Sequence, residues 1–165
     1  MSTPDFSDRL AADQGDALVR AYAGDPDVAA YYTEGVRDAE ESDGWIGTVT
    51  PPALLVALDA LELSPETAGF GTLTTIFRVT SVTAKRNAPG TARWQRARIF
   101  LRLARLSWGE EFGVLRDTEG NRLTEAIVRF QRFGAVRFGP DETIRADMLI
   151  GFDATVQIAT MEFFQ

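Results

Sequence analysis

The pattern of hydrophobic and polar residues is organised around positions 71–108, where a β-run, a tight polar turn and a long helix follow one another. The run from Thr72 to Ala84 is rich in Thr, Val, Ile and Phe, which favour a pleated, half-buried strand. Residues 85–90 contain Pro89 and Gly90 and predict a turn. Residues 91–108 then predict a long central helix, with Thr91 as its N-cap.

This predicted helix has two apolar sides with a basic strip between them. The first side consists of Trp94, Ala97, Leu101, Ala104 and Trp108, with Phe100 beside them. The second side consists of Ile99, Leu103 and Leu106. The strip consists of Arg98, Arg102 and Arg105. We expect the first side to pack on the sheet and the second side, with the strip, to contact another element or subunit. The alternative is a helix sandwiched in its own domain, with the Arg head groups in water.

The remaining patterns predict one α+β domain over residues 1–165. Phe6 to Tyr22 reads as an amphipathic helix, and Ala53 to Leu58 as a strand covered on both faces. Residues 125–133 and 150–159 alternate as strands, Gly134 suggests a bulge, and loops are predicted at 64–69 and 139–141. Strands outnumber helices and βαβ alternation is absent, so we expect a mostly antiparallel or mixed sheet, packed by the central helix and the N-terminal helix.

Charge is distributed unevenly along the chain. Residues 1–66 hold fourteen Asp or Glu and three Arg, a net charge of -11, whereas residues 67–165 carry +4. Residues 24–50 predict an acidic loop region, whose candidate docking residues are Asp38, Glu40, Glu41 and Asp43. A solvated loop is the alternative. Such asymmetry orients copies or partners relative to one another, and it argues against sequence-specific nucleic-acid binding.

The composition limits the kinds of catalytic and binding site that the chain can form. His and Cys are absent, which removes the commonest general base and every Ser-His or Cys-His arrangement. Gly-rich phosphate loops are absent, and no apolar run has the length of a membrane span. We therefore expect no catalysis, no cofactor, no metal and no membrane contact.

Taken together, the segments 52–58, 82–90, 91–108 and the alternating C-terminal strand resemble the tail terminator proteins of long-tailed bacteriophages, in particular the Mu-like group. The resemblance implies a non-catalytic virion protein whose homohexameric ring caps the tail tube at the tail–neck junction and is assembled in the host cytoplasm. The implied partners are further copies of the chain, the tail tube protein, the sheath and a neck or connector protein, with the genome passing through the ring. The residue pattern itself gives the interface candidates, which are Arg98, Ile99, Arg102, Leu103, Arg105 and Leu106 of the helix, together with Lys85, Arg86 and Asn87 of the turn.

Two other classes of function remain open from the sequence. One is a different neck, head–tail connector or baseplate component of a phage or contractile injection machine. The other is a small cone-shaped α+β enzyme or ligand-binding domain that uses carboxylates. A large apolar pocket with converging polar groups would favour the last class, and a closed ring would favour the first two.

Overall fold

A computed structural model describes residues 6–38, 50, 52–67, 70–84, 89–108, 128–145 and 148–163. Its helices are α1 (Phe6–Ala23), α2 (Pro26–Tyr31) and α3 (Pro89–Trp108). Its strands are β1 (Val36–Asp38), β2 (Ala53–Thr67), β3 (Phe70–Ala84), β4 (Val128–Arg145) and β5 (Met148–Phe163). The strands form one mixed sheet in the order β1-β2-β3-β5-β4, which confirms the α+β class. None of the described helices is long and apolar enough to cross a membrane.

The core lies between one face of this sheet and the three helices. Strand β1 runs parallel to β2, whereas the other neighbouring strands are antiparallel. Along β5, the alternating residues Phe152, Ala154, Val156 and Ile158 are all buried in the core, as the sequence pattern predicts. The helices meet them with apolar side chains, which are Ala17, Leu18, Tyr22, Val28, Ile99 and Leu103.

Strand β2 starts as predicted but is longer than expected. Residues 53–56 are buried on both faces, which matches the continuous apolar run. The loop predicted at residues 64–69 is wrong in its first part, because β2 continues to Thr67 with Pro65 opposite Gly71. Strand β1 pairs only with residues 54–56, so beyond them β2 borders no second strand in the described part of the chain. Proline is tolerated at such an edge, because its missing N–H leaves no ladder bond unmade.

A second predicted interruption, the turn at residues 139–141, is also wrong. The expected turn at residues 139–141 lies within β4, where the pairing passes from Phe138–Phe152 to Glu142–Ile150. Three residues of β4 therefore face one residue of β5, which is a bulge rather than a reversal of the chain. Gly and Pro interrupt strand pairing both at a bulge and at a turn, so the local sequence did not distinguish a bulge from a turn. The bulge predicted at Gly134 lies slightly further on, between Ala135 and Arg137.

The region predicted as an acidic loop contains ordered elements. Helix α2 and strand β1 both fall within residues 24–50, and Asp38 is the last residue of β1. Glu40, Glu41 and Asp43 lie outside the described residues, as do Lys85, Arg86 and Asn87. Helix α3 begins at Pro89, two residues before the predicted N-cap, because proline suits the first turn of a helix, where its missing N–H has no partner to lose.

Two buried tyrosines tie the helices to their surroundings. Tyr22 shares a 2.5 Å hydrogen bond with Ser107 of α3, and Tyr32 shares a 2.7 Å hydrogen bond with Ser81 of β3. Burial raises the pKa of both phenols well above the ordinary value. The Ser107 hydroxyl also donates to the carbonyl oxygen of Leu103 at 2.7 Å. Both phenols therefore stay protonated; Tyr22 connects α1 to α3 and Tyr32 connects the end of α2 to the sheet, without introducing charge.

These two bonds predict unequal losses when either phenol is removed. In Tyr32→Phe, the buried Ser81 hydroxyl loses its hydrogen-bond partner, which costs about 1–3 kcal/mol. Tyr22→Phe is the matched control, because Ser107 keeps the Leu103 carbonyl, and we expect about 1 kcal/mol or less. Urea unfolding of the two variants beside the wild type checks this order. Equal losses would show that Ser81 finds another partner.

Candidate interaction surface

The apolar side of α3 that was expected to pack on the sheet faces solvent, and the other apolar side is buried. Ile99 and Leu103, predicted to meet a partner, are buried in the core of this chain, and Leu106 packs partly buried against it. Trp94 and Leu101, predicted to pack on the sheet, are 77% and 58% exposed. The predicted interface roles of Ile99 and Leu103 are therefore corrected, because both side chains are already used inside the domain.

Neighbouring contacts explain the reversal. Phe100 lies with its ring centre 4.9 Å from that of Phe133 on β4 and 5.4 Å from that of Phe152 on β5. Ser107 is fully buried through its contact with Tyr22. These tertiary partners turn the side with Ile99 and Leu103 inward. Residue type alone could not decide the orientation, since both sides are apolar.

Arg102 is also used within its own chain. Its Nε lies 3.1 and 3.2 Å from the two carboxylate oxygens of Asp25, and its Nη2 lies 2.5 Å from Oδ1. Asp25 is the N-cap of α2, where its Oδ2 accepts from the backbone N–H of Val28 at 3.1 Å. The sequence predicted that the Arg strip contacts another element or subunit. Arg102 contacts Asp25, the N-cap of α2, so this contact lies within one subunit.

The electrostatics of this pair follow from its hydrogen bonds. The Arg102 guanidinium lowers the pKa of the Asp25 carboxyl, because it donates to the ionised form. The backbone donor at Val28 acts in the same direction, while burial opposes both. The Asp25 side chain is nearly buried, whereas that of Arg102 is 40% exposed. The pair is therefore a half-buried tie between α2 and α3.

Arg98 and Arg105 remain on the outer surface. Both are exposed, and at 100° per residue they fall within an arc of about 60° with Trp94 and Leu101. We call these four residues the Trp94 ridge. Tryptophan and arginine are the residue types most enriched where protein interfaces concentrate their binding energy. The ridge therefore has the composition of an interface, although its members differ from those predicted.

A groove lies at the other end of the helical layer. It runs between α1 and the sheet, has a volume of about 450 Å³, and we call it the α1–β2 groove. Its apolar lining includes Ala12, Gly15, Val19, Leu58, Leu61 and Phe77. Two carboxylate residues, Asp16 and Asp38, also line it. Asp38, predicted as part of an acidic docking loop, is thus placed in this groove.

Gly15 sets how closely α1 approaches the sheet in this groove. A Cβ atom at position 15 would lie 3.1 Å from Cε1 of Phe77, tighter than an ordinary van der Waals contact. Apart from Asp38, the groove residues were missed in the sequence, although Ala11, Ala12 and Gly15 on one side of α1 form a small-residue stripe that signals close packing. In the described part of the chain, no group of acidic side chains has the arrangement of a metal site.

The Arg102–Asp25 pair generates a test of its internal role. Arg102→Ala leaves the nearly buried Asp25 carboxylate with only the backbone donors of the first turn of α2, and we expect a loss of about 1–2 kcal/mol, reduced by the exposure of the arginine. Arg98→Ala is the matched control on the same helix, with an expected change within about 0.5 kcal/mol. Chemical unfolding at neutral pH gives both values.

The pH dependence of the same variant gives an independent check. Because the folded-state pKa of Asp25 is lowered, the pair stabilises the fold above the ordinary carboxyl pKa. That stability is lost as the pH falls through the folded-state pKa of Asp25. The deficit of Arg102→Ala should therefore be full at neutral pH and shrink in acid. A deficit that is constant across this range would contradict the assignment.

Comparison with known proteins leaves the family of this chain open. A scan against protein-family models and a search of curated proteins each returned no match to it.

Proposed function

We propose that this chain is a structural virion protein, a tail terminator whose copies form a homohexameric ring. The ring caps the tail tube, stops its growth, and connects the tail to the neck or connector of the capsid. Its partners are further copies of the chain, the tube protein and the adjoining neck protein, and it performs no catalysis. The sequence resemblance over residues 50–165 and the α+β fold with one mixed sheet support this proposal.

The observation that carries the proposal is the exposed apolar side of α3. Single exposed hydrophobic residues are ordinary on protein surfaces. Here, however, Trp94 and Leu101 lie two turns apart on one face, at 77% and 58% exposure, with Arg98 and Arg105 beside them. Leaving a tryptophan in water forgoes the burial of one of the largest apolar side chains. A protein that functions by assembly gains that burial when its copies or partners dock.

The composition supports a structural rather than an enzymatic role. A chain without His or Cys must build any acid–base chemistry from carboxylates, Lys, Tyr or Arg. The two tyrosines buried in the core, Tyr22 and Tyr32, are hydrogen-bonded to serines and have raised pKa values, which keeps them protonated. The carboxylate of Asp25 caps α2 and accepts hydrogen bonds from Arg102. Each of these groups has a structural use.

The α1–β2 groove favours one second candidate, a ligand-binding domain. Its volume of about 450 Å³ falls within the usual size of a small-molecule site, and Asp16 and Asp38 supply polar groups beside an apolar lining. Native mass spectrometry of the purified protein separates the candidates. A small molecule bound to a monomer would support ligand binding, whereas a ligand-free ring supports the tail terminator.

The ring itself is the central testable outcome. We expect native mass spectrometry and negative-stain images to show a six-membered ring, formed either by the protein alone or on tail tubes. Added to elongating tubes, the protein should stop their growth, while tubes receiving buffer alone continue to lengthen. A strict monomer at high concentration, both alone and with tubes, would contradict the proposal. A ring that binds a baseplate or a connector instead of the tube end would identify the alternative virion component.

A further inference from the structure

We propose that the Trp94 ridge of one copy docks in the α1–β2 groove of a second copy of the same chain. The inference rests on the proposed ring and names the two surfaces that join its subunits. Trp94 and Leu101 are the apolar members of the ridge and enter the groove, while Arg98 and Arg105 lie against its acidic side. Every subunit then uses one ridge and one groove.

The two surfaces match in size and polarity. The groove has a volume of about 450 Å³ and is lined on its helical side by Ala11 and Ala12, whose small side chains leave room for a large ring. Leu61, at the groove, is itself 53% exposed and adds an uncovered apolar contact. On the ridge, Trp94 and Leu101 are spaced about 10 Å along the helix axis, so one helix can lay both into an elongated groove.

Charge identifies a second copy as the occupant and sets the direction of docking. The ridge carries Arg98 and Arg105, whereas the groove carries Asp16 and Asp38. A symmetric contact of ridge with ridge would bring the arginines of two copies together, and like charges at an interface are unfavourable. Contact of ridge with groove places opposite charges together. The chain therefore carries both halves of a complementary pair.

The positions of the two surfaces allow the contact to repeat. Helix α3 packs over β4 and β5, while α1 packs over β1 and β2 at the opposite end of the sheet. One copy can thus offer its ridge to one neighbour and its groove to another at the same time. Such a heterologous contact generates a closed ring when the rotation per subunit closes, and an open filament when it does not. In a ring, no ridge remains exposed.

Two variants at exposed positions separate the two surfaces. Trp94→Ala removes the apolar anchor of the ridge, and Ala12→Phe fills the groove. Their matched controls are Gln95→Ala on α3 and Ala23→Phe on α1, at exposed positions outside both surfaces. We expect either surface variant to weaken association at least about 30-fold, the loss typical of a hot-spot residue, with both controls unchanged. Circular dichroism and thermal unfolding verify that all four variants fold.

Mixing the two surface variants tests the head-to-tail direction. Ala12→Phe keeps its ridge and Trp94→Ala keeps its groove, so a mixture contains one working contact and no way to extend it. We expect each variant alone to be monomeric and the equimolar mixture to stop at a heterodimer in native mass spectrometry. If the wild type assembles only on tail tubes, the readout is capping, which both variants and their mixture should lose.

Each other outcome has a distinct meaning. A wild-type ring that persists unchanged in Trp94→Ala and Ala12→Phe overturns the inference and leaves the proposed ring standing, with its interface elsewhere. A wild type that stays monomeric alone and on tubes contradicts the ring and the docking together. Loss of a bound small molecule in Ala12→Phe, with no change in oligomeric state, assigns the groove to a ligand and overturns the inference.

Discussion

The contact between Asp25 and Arg102 holds the helical layer of this protein together. Asp25 follows the end of α1, caps the first turn of α2 and accepts two N–H groups of Arg102 from α3. One carboxylate therefore joins α2 to α3, and the hydrogen bond between Tyr22 and Ser107 joins α1 to α3 on the buried side. The free N–H groups and the dipole at a helix N-terminus favour a carboxylate there independently of the arginine.

The orientation of α3 follows from these ties. Arg102 is turned toward α2, whereas Phe100, Leu103 and Ser107 are turned toward the core. Trp94 must therefore face solvent. The exposed tryptophan is thus a consequence of internal contacts that occupy the other sides of the helix. This geometry supplies the outer surface on which we base assembly. The same layer leaves a groove at its far end, where Gly15 lets α1 approach Phe77 closely.

Local patterns predicted the fold class and most elements, because strand alternation and helix periodicity reflect burial directly. The alternating residues of β5 and the apolar run at the start of β2 were confirmed for this reason. What the sequence could not decide was orientation and pairing: which apolar side of α3 faces inward, whether Arg102 meets its own chain, and whether residues 139–141 turn or bulge. The groove was missed because it arises between elements distant in sequence. The predicted roles of Glu40, Glu41, Asp43, Lys85, Arg86 and Asn87 stay predictions.

Disulfide trapping in this cysteine-free chain tests the head-to-tail assembly most directly. The double variant Ala12→Cys with Leu101→Cys places one thiol at the groove and one on the ridge of every copy. On oxidation, our account predicts a ladder of covalent oligomers on a non-reducing gel, ending at the size of the closed ring. Either single variant should give dimers at most, since each copy has one thiol. A double variant that yields only monomers and dimers would contradict the account.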